Sequence, residues 1–486
     1  MSGRTNRAPR TSAGRANLVT NHVMTVCLLT TAPACDSGDP DGDGTGGPAS
    51  ILNLAHLDHL LEIVERDGVE YGIVHIYAEA PDYEWVDDAD EGAACVDDAA
   101  RAAVVYLRHF ETTGTQDSRE KAEALLRFVM RMQTDDGRFY NFVWNNQLDV
   151  NQTHPNSRAD EFGWWAARGT WALGTCARVL HQANPALSDA CARRARRTYT
   201  HVDRLLDRYG ETTVQNGRTY PLWLIGEYAS DATSELLLGL VALRAAYPDE
   251  DLDRRINRLA EGLAMMQYGD LTTYPYGAHA SWLETWHGWG NSQTQALSEA
   301  GLLASAVHEA ESFYPHLIAS GWLHSMPFDD PSGVRTFEQI AYAVRCVAVG
   351  LLRLYEGSGD ERFATMAGLA ASWFTGNNVA GERMYQPSTG RGFDGINGVN
   401  EVNRNAGAES TIEAVFTILE IERHDEARAW MHATTASQGD KTWNGDSYAY
   451  RVFDASGQQV GVLLNHTRSQ MELVEGEALE AFLAGS

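Results

Sequence analysis

Positive charge is scarce: 38 Lys and Arg stand against 66 Asp and Glu among 486 residues, a formal net charge of −28. A surface of that sign repels phosphate backbones and anionic lipid, which argues against nucleic acid as a partner. Long hydrophobic runs are missing as well. The one concentrated apolar stretch, "VMTVCLLTTAPA" before Cys35, is too short to cross a bilayer as a helix. Cysteine is sparse, six in all, and no pair has C-x-x-C spacing, while His279 and His287 fall in no H-x-x-x-H or H-E-x-x-H pattern. Zinc is therefore not expected. The glycine-containing "GERMYQPSTGRG" follows an amphipathic helical pattern and not a strand, which argues against a phosphate loop. No metal and no cofactor is implied.

What is present begins with an export layout. Arg4, Arg7, Arg10 and Arg15 precede the apolar stretch and "APAC" closes it, so residues 1–35 read as an export signal. "APAC" is similar to the bacterial lipoprotein box, in which the cysteine becomes the lipid-bearing first residue. Cys35 is thus a candidate lipid anchor in the bacterial cell envelope, with plain secretion to the extracellular space as the alternative. Residues 36–50, "DSGDPDGDGTGGPAS", are acidic, glycine-rich and free of apolar anchors, as a flexible linker is. Residues 51–486 read as one large domain. Cys176 and Cys191 flank a predicted helix-to-helix turn at similar distances. In an oxidising compartment they can pair; the alternative is that they, with Cys95 and Cys346, are small buried apolar residues.

From about residue 95 the chain reads as helix after helix, and two kinds alternate. Residues 231–247 and 335–355 are apolar nearly all round, as a helix enclosed by neighbours must be. Residues 118–132, 251–266 and 360–374 are striped instead: Leu252, Ile256, Leu259 and Leu263, for example, oppose Arg254, Arg255, Arg258 and Glu261. Inner helices are expected to begin near 95, 158, 231, 291, 335 and 406, and outer ones near 117, 186, 251, 312, 360 and 424. Six such pairs close a ring, so the expected fold is an all-α (α/α)6 toroid. Minor β-hairpin additions are expected at 69–78 and 446–464, where strand-like alternation is broken by Ser-Gly in the second.

Inner-to-outer links are short and outer-to-inner links are mostly long, which gathers the long loops on one rim. That rim is aromatic. Trp223, Trp282, Trp286 and Trp289, with Trp164 at an inner-helix start, offer flat faces to sugar rings, and His287 adds a polar group. Acids occur where inner helices begin: Asp97 and Asp98 beside Arg101, Asp160 and Glu161, Asp231 and Glu235, Glu338, then Glu401 and Glu409 with Asn403 and Asn405 between them. Each alone suits a helix N-terminus electrostatically. Together they supply what glycoside hydrolysis needs, one carboxylic acid and one carboxylate about 5 to 9.5 Å apart. In a closed ring the first and last inner helices are neighbours, so Asp97 and Asp98 are expected to approach Glu401 and Glu409.

The segment 371–421, with "WFTGNN", "DGI" and "NAGAEST", resembles the closing part of the six-hairpin glycosidase superfamily, and "EGAACVDDAARAAVVYL" with "DGRFYNFV" resembles its opening. More distantly, "NEVNRNAGAES" is similar to the N-E-V-x-x-x-Y-N-A segment of family nine glycoside hydrolases. That resemblance implies Glu401 as general acid and Asp97 or Asp98 as base. The tyrosine is absent here and the spacing is shorter, so Glu401 and Glu409 both stand as candidates. The expected activity is an exported glycoside hydrolase acting on a poly- or oligosaccharide. The alternatives are a polysaccharide lyase or sugar epimerase on the same toroid, or a surface lipoprotein that binds glycans without turning them over.

Overall fold

Apolar helices flanked by amphipathic ones can satisfy both faces only by stacking in two layers, and the chain does so in sequence order. The computed structural model describes residues 49–485; the export segment and all but the last two residues of the acidic linker lie outside the described residues. After a short helix, α1 (Ala55–Leu60), come six consecutive helical pairs. They are α2 (Val96–Thr113) with α3 (Gln116–Met132), and α4 (Trp164–Val179) with α5 (Pro185–Arg196) and its continuation α6 (Tyr199–Leu206). Next are α7 (Ser230–Ala246) with α8 (Glu250–Ala264) and α9 (Gln293–Ala300) with α10 (Leu303–Ser320). The last two are α11 (Ala341–Ser358) with α12 (Glu361–Thr375) and α13 (Ala408–Ile421) with α14 (Asp425–Trp430).

The first member of each pair packs on the first member of the next, and α13 returns to α2, so the inner layer closes. Burial follows: Ser230 to Leu243 of α7 and Ala341 to Leu354 of α11 are buried without interruption. Two glycines set the spacing of α4 and α7. A Cβ on Gly174 would stand 2.0 Å from the carbonyl oxygen of Gly239, and one on Gly239 would stand 2.5 Å from that of Thr170. The backbones therefore touch, an approach no larger residue permits.

Helix starts agree with the sequence reading within a turn or so, with three informative exceptions. The second inner helix begins at Trp164 and the fifth at Ala341, because the residues just ahead of each are used in rim loops and a short strand, Gln339–Ile340. The fourth outer helix begins at Leu303, nine residues before expectation, and holds Pro315 inside it.

The all-α description needs amending. Strands occur at both expected places, 69–74 and 77–78, and 446–455 paired with 458–465, but also where the long rim loops run. Ala94–Cys95 pairs with Phe142–Val143, Thr285–His287 with Ser325–Pro327, and Gln339–Ile340 with Gly395–Gly398, which pairs in turn with Glu401–Asn403. Backbone amides in a partly buried rim need partners, and short ladders between neighbouring loops supply them. A four-stranded antiparallel sheet, Thr434–Trp443, Asp446–Ala455, Gln458–Asn465 and Gln470–Glu475, packs against α10. Its first strand, "TTASQGDKTW", has no apolar alternation to announce it.

Candidate active site

The inner helices begin at the rim, and one turn inside each start the core stops being apolar. Arg101 of α2 is 2% exposed and gathers four carboxylates: Asp98 at 2.8 Å, Glu413 at 2.7 Å, Asp97 at 3.3 Å and Glu409 at 3.4 Å. Arg168 of α4 lies 2.8 Å from Asp97 and 2.8 Å from Glu235 of α7. Arg345 of α11 takes Glu413 at 2.5 Å, reaches Glu235 at 3.6 Å, and donates to Ser292 Oγ at 3.0 Å and to Gln295 of α9 at 3.3 Å. Asp97, Arg168, Glu235, Arg345, Glu413 and Arg101 thus form a closed cycle of alternating charge across the middle of the ring. Tyr342 lies against all three guanidinium groups, at 5.1 to 5.2 Å from its ring centre.

Buried charges persist when each is paired and hydrogen-bonded. Here the pairing is incomplete. Three arginines face five carboxyl groups, Asp97, Asp98, Glu235, Glu409 and Glu413. Burial works against the Glu413 charge, but Arg345, Arg101 and Arg168 outweigh it and hold this carboxyl below its ordinary value. Glu409 fares differently: burial, opposed by Arg101 and reinforced by Asp97, Asp98 and Glu413, pushes it up to about 7. Asp98 is raised to about 6 by burial and by Asp97, against the pull of Arg101. Its Oδ2 also accepts the Cys95 thiol at 3.1 Å, and Cys95 in turn caps α2 by accepting the Asp98 amide. The Glu409 side chain is 43% exposed and that of Asp97 21%, so both reach solvent where the inner helices begin.

The expected site residues divide sharply. Asp97, Asp98, Arg101 and Glu409 meet, as ring closure requires. Glu401 does not join them: it stands exposed at the tip of the Gly395–Asn403 hairpin that leads into α13. Asn403 donates to Asp394 at 3.4 Å and Asn405 accepts the Ala80 amide at 3.0 Å, both bracing that hairpin. Asp160 and Glu161 are exposed on the loop before α4, and neither carboxylate pairs with an arginine of the cycle.

Among the aromatic candidates, Trp164 lies partly buried under Arg168 with its edge against Gly290. His287 holds Asp231 at 3.0 Å and stacks on Trp289 at 3.9 Å. Trp282 is 36% exposed, edge-on to Tyr228. Two expectations are corrected. Trp223 is buried and donates to the Arg258 carbonyl at 2.9 Å, and Trp286 is buried against Phe313; both are packing residues, since neither presents a face to a ligand.

Sequence reading overlooked Arg168, Tyr342, Arg345, Glu413 and Asp394. The first four carry a legible signal, a lone charge or phenol within about one turn of the start of an otherwise apolar inner helix. Asp394, in the Asp-Gly-Ile turn, accepts Ser410 Oγ at 2.8 Å and the Gly407 amide at 3.3 Å, and its carboxyl is raised by burial. Glu338, also raised by burial, faces it. Of the two cysteines that sequence left open, Cys176 and Cys191 are buried free thiols that lie side by side between α4 and α5. A separate surface depression of about 430 Å³, lined by Tyr71, Arg127, Arg131, Asp135 and Arg194, shares no residue with this site.

No protein-family model and no curated protein sequence matches the chain. Solved structures do. Cellobiose 2-epimerase from Bacillus thermoamylovorans B4167 superposes with a TM-score of 0.53 and 13% identity, over 74% of this chain and 94% of that one. A sugar epimerase from a ruminal bacterium gives 0.54 at 12% identity, over 77% and 97%. Cellobiose 2-epimerase from Spirochaeta thermophila DSM 6192 gives 0.51 at 12% identity, over 73% and 91%. At such identities the likeness speaks of architecture alone: the described residues share the overall fold of these solved structures.

Proposed function

We propose that this chain is an (α/α)6 glycoside hydrolase that cleaves a neutral poly- or oligosaccharide, with Glu409 as general acid and Asp97 as its carboxylate partner. One observation carries the reading: Glu409 and Asp97 share a single guanidinium nitrogen of Arg101, at 3.4 and 3.3 Å, while their surroundings differ. Two oxygens so tied can be no further apart than the sum of those distances, which reaches only the lower part of the ~5 to 9.5 Å that two-carboxylate hydrolysis uses. Glu409, pushed up to about 7, keeps a proton to give near neutral pH. Asp97 is braced by Arg101 and Arg168, which fixes its orientation.

In the reaction, Glu409 Oε–H protonates the glycosidic oxygen as the bond to the anomeric carbon breaks. The Asp97 carboxylate supports the developing positive charge at that carbon, by attacking it or by deprotonating the water that does. Trp164 and Trp289 supply flat walls for sugar rings. The excess of carboxylates disfavours a uronate, hence the neutral substrate. The export signal and Cys35 extend the proposal to a protein of the cell envelope or the extracellular space, lipid-anchored or secreted.

The test is release of reducing ends from a glycan panel by the wild type, Glu409→Gln and Asp97→Asn. Activity unaffected by both substitutions sinks the assignment. A second reading, sugar epimerisation, is favoured by His287, an imidazole held by Asp231 and stacked on Trp289, a group suited to taking a proton from carbon. It predicts hydrogen exchange at C2 of reducing disaccharides in deuterated water, lost in His287→Asn, with no new reducing ends.

A further inference from the structure

Trp85 is 41% exposed, yet it is held at its back face and at its N–H. It lies outside the acid cluster, on an N-terminal addition to the ring. This addition comprises the hairpin β1 (Leu61–Arg66) and β2 (Val69–Val74), then β3 (Tyr77–Ala78) paired with β4 (Trp85–Val86). The indole is held at one face and at its N–H. Its back face stacks flat on the His75 ring, 3.8 Å between centres and 9° from parallel. Its N–H donates to the His59 carbonyl at 3.0 Å. His75 is itself held by Glu62 at 2.9 Å, and His59 stacks on His56. A buried anchor would not leave its front face in water, and an incidental surface Trp would not be locked at its back face and at its N–H.

The addition is joined to the helix that carries Glu409. The amide of Ala406 donates to Ala78 O at 3.0 Å and that of Ala408 to Ile76 O at 2.9 Å, while the Ala80 amide donates to Asn405 Oδ1 at 3.0 Å. Trp85 pairs directly with Ala78, so it stands one strand spacing, ~4.8 Å, beyond the strand that abuts the start of α13. The geometry points to Trp85 as a distal carbohydrate platform. It receives the C–H face of a pyranose in a glycan chain that runs along the rim past α13, a few sugar units from the Glu409 carboxyl. A rigid indole with one free face loses little entropy on stacking. This deepens the hydrolase reading, since it makes the substrate a polymer or long oligomer and not a disaccharide.

The experiment measures binding and turnover separately on the full folded protein. Affinity electrophoresis in gels containing hydroxyethyl cellulose, xylan, β-mannan or α-mannan compares the wild type with Trp85→Ala and Trp85→Phe, with thermal melting as the control for folding. For the polysaccharide that retards the wild type, Trp85→Ala weakens binding about five- to tenfold, the scale of one aromatic stack. Trp85→Phe keeps most of it, and the matching disaccharide binds both as before. Equal polymer affinity in wild type and Trp85→Ala overturns the platform. So does no retardation of the wild type by any of the four, or equal losses for polymer and disaccharide. Should Trp85→Ala weaken polymer binding while no glycan is hydrolysed, the platform stands and the hydrolase reading fails.

Discussion

Two networks of arginine and carboxylate lie across the same three inner helices, α2, α11 and α13, about two turns apart, and they have opposite electrostatic characters. At the far end Arg108 takes Glu420 at 2.7 Å and Glu111 at 2.5 Å, Arg353 bonds Glu420, Glu356 and Glu299, and Arg178 and Arg423 add further guanidiniums. Four arginines meet four glutamates there. Although burial opposes their charge, Glu420 and Glu111 are held below the ordinary range by those arginines, and Glu356 is brought to about 2 by its hydrogen bond with His424 and by Arg353. At the rim, three arginines meet five carboxyls, and the surplus appears as two raised acids, Glu409 at about 7 and Asp98 at about 6. Equal charges make a clamp between helices. A surplus of acid in reach of solvent makes a group that can hand over a proton.

Substitution is the strongest way to break this contrast. Glu409→Gln is expected to lower kcat/KM on a responsive glycan by roughly 10²- to 10⁴-fold, the usual worth of a general acid, while chemical denaturation shows little loss of stability. At the far end the effects reverse. Arg353→Met removes one of the three guanidiniums on the fully buried Glu420, leaving Arg108 and Arg423, and should cost about 1–3 kcal/mol in unfolding free energy, with turnover per folded molecule nearly unchanged.

Proton linkage sharpens the same comparison. The native state holds the Glu409 proton up to about pH 7, whereas an ordinary glutamate releases it near 4.5. Between those values the folded chain binds more protons than the unfolded one, so this group's contribution to stability falls as pH rises. Glu409→Gln should flatten that decline in a series of denaturant midpoints. Activity should fall as pH climbs past about 7, when the acid loses its proton. Glu356, brought to about 2, acts in the opposite sense: its contribution is present above the ordinary carboxylate range and lost as pH falls through it, so Glu356→Gln should flatten the acid limb instead.

The smallest expected effect separates two glutamates that sequence left tied. Glu401→Gln, on an exposed hairpin tip without a charged partner among its described contacts, should change stability by less than ~0.5 kcal/mol and activity by less than about twofold. A large loss of activity there, with Glu409→Gln silent, would exchange the two assignments.

Much of the ring was legible because burial leaves a periodic trace. The unbroken apolar faces of α7 and α11 and the stripe of α8 announce inner and outer layers, and glycines at helix ends such as Gly114 and Gly359 mark the turns. The rim was less legible. Apart from Thr273–His279, its strands are two to four residues long, too short for a period-two pattern to stand out. Aromatic crowding alone also could not separate Trp282, which is exposed, from Trp223 and Trp286, which are packed.

The sequence by itself determined the layering, the number of helical pairs and the end of the ring where acids gather, because each depends on residues a few positions apart. Tertiary structure decided the rest. That Glu413 lies 2.7 Å and Glu409 3.4 Å from Arg101, over 300 positions away, depends on how the last helix docks on the first. Whether a carboxyl there is clamped or left with a proton depends on how many guanidiniums reach it, a matter of ångströms and local polarity that no linear spacing records.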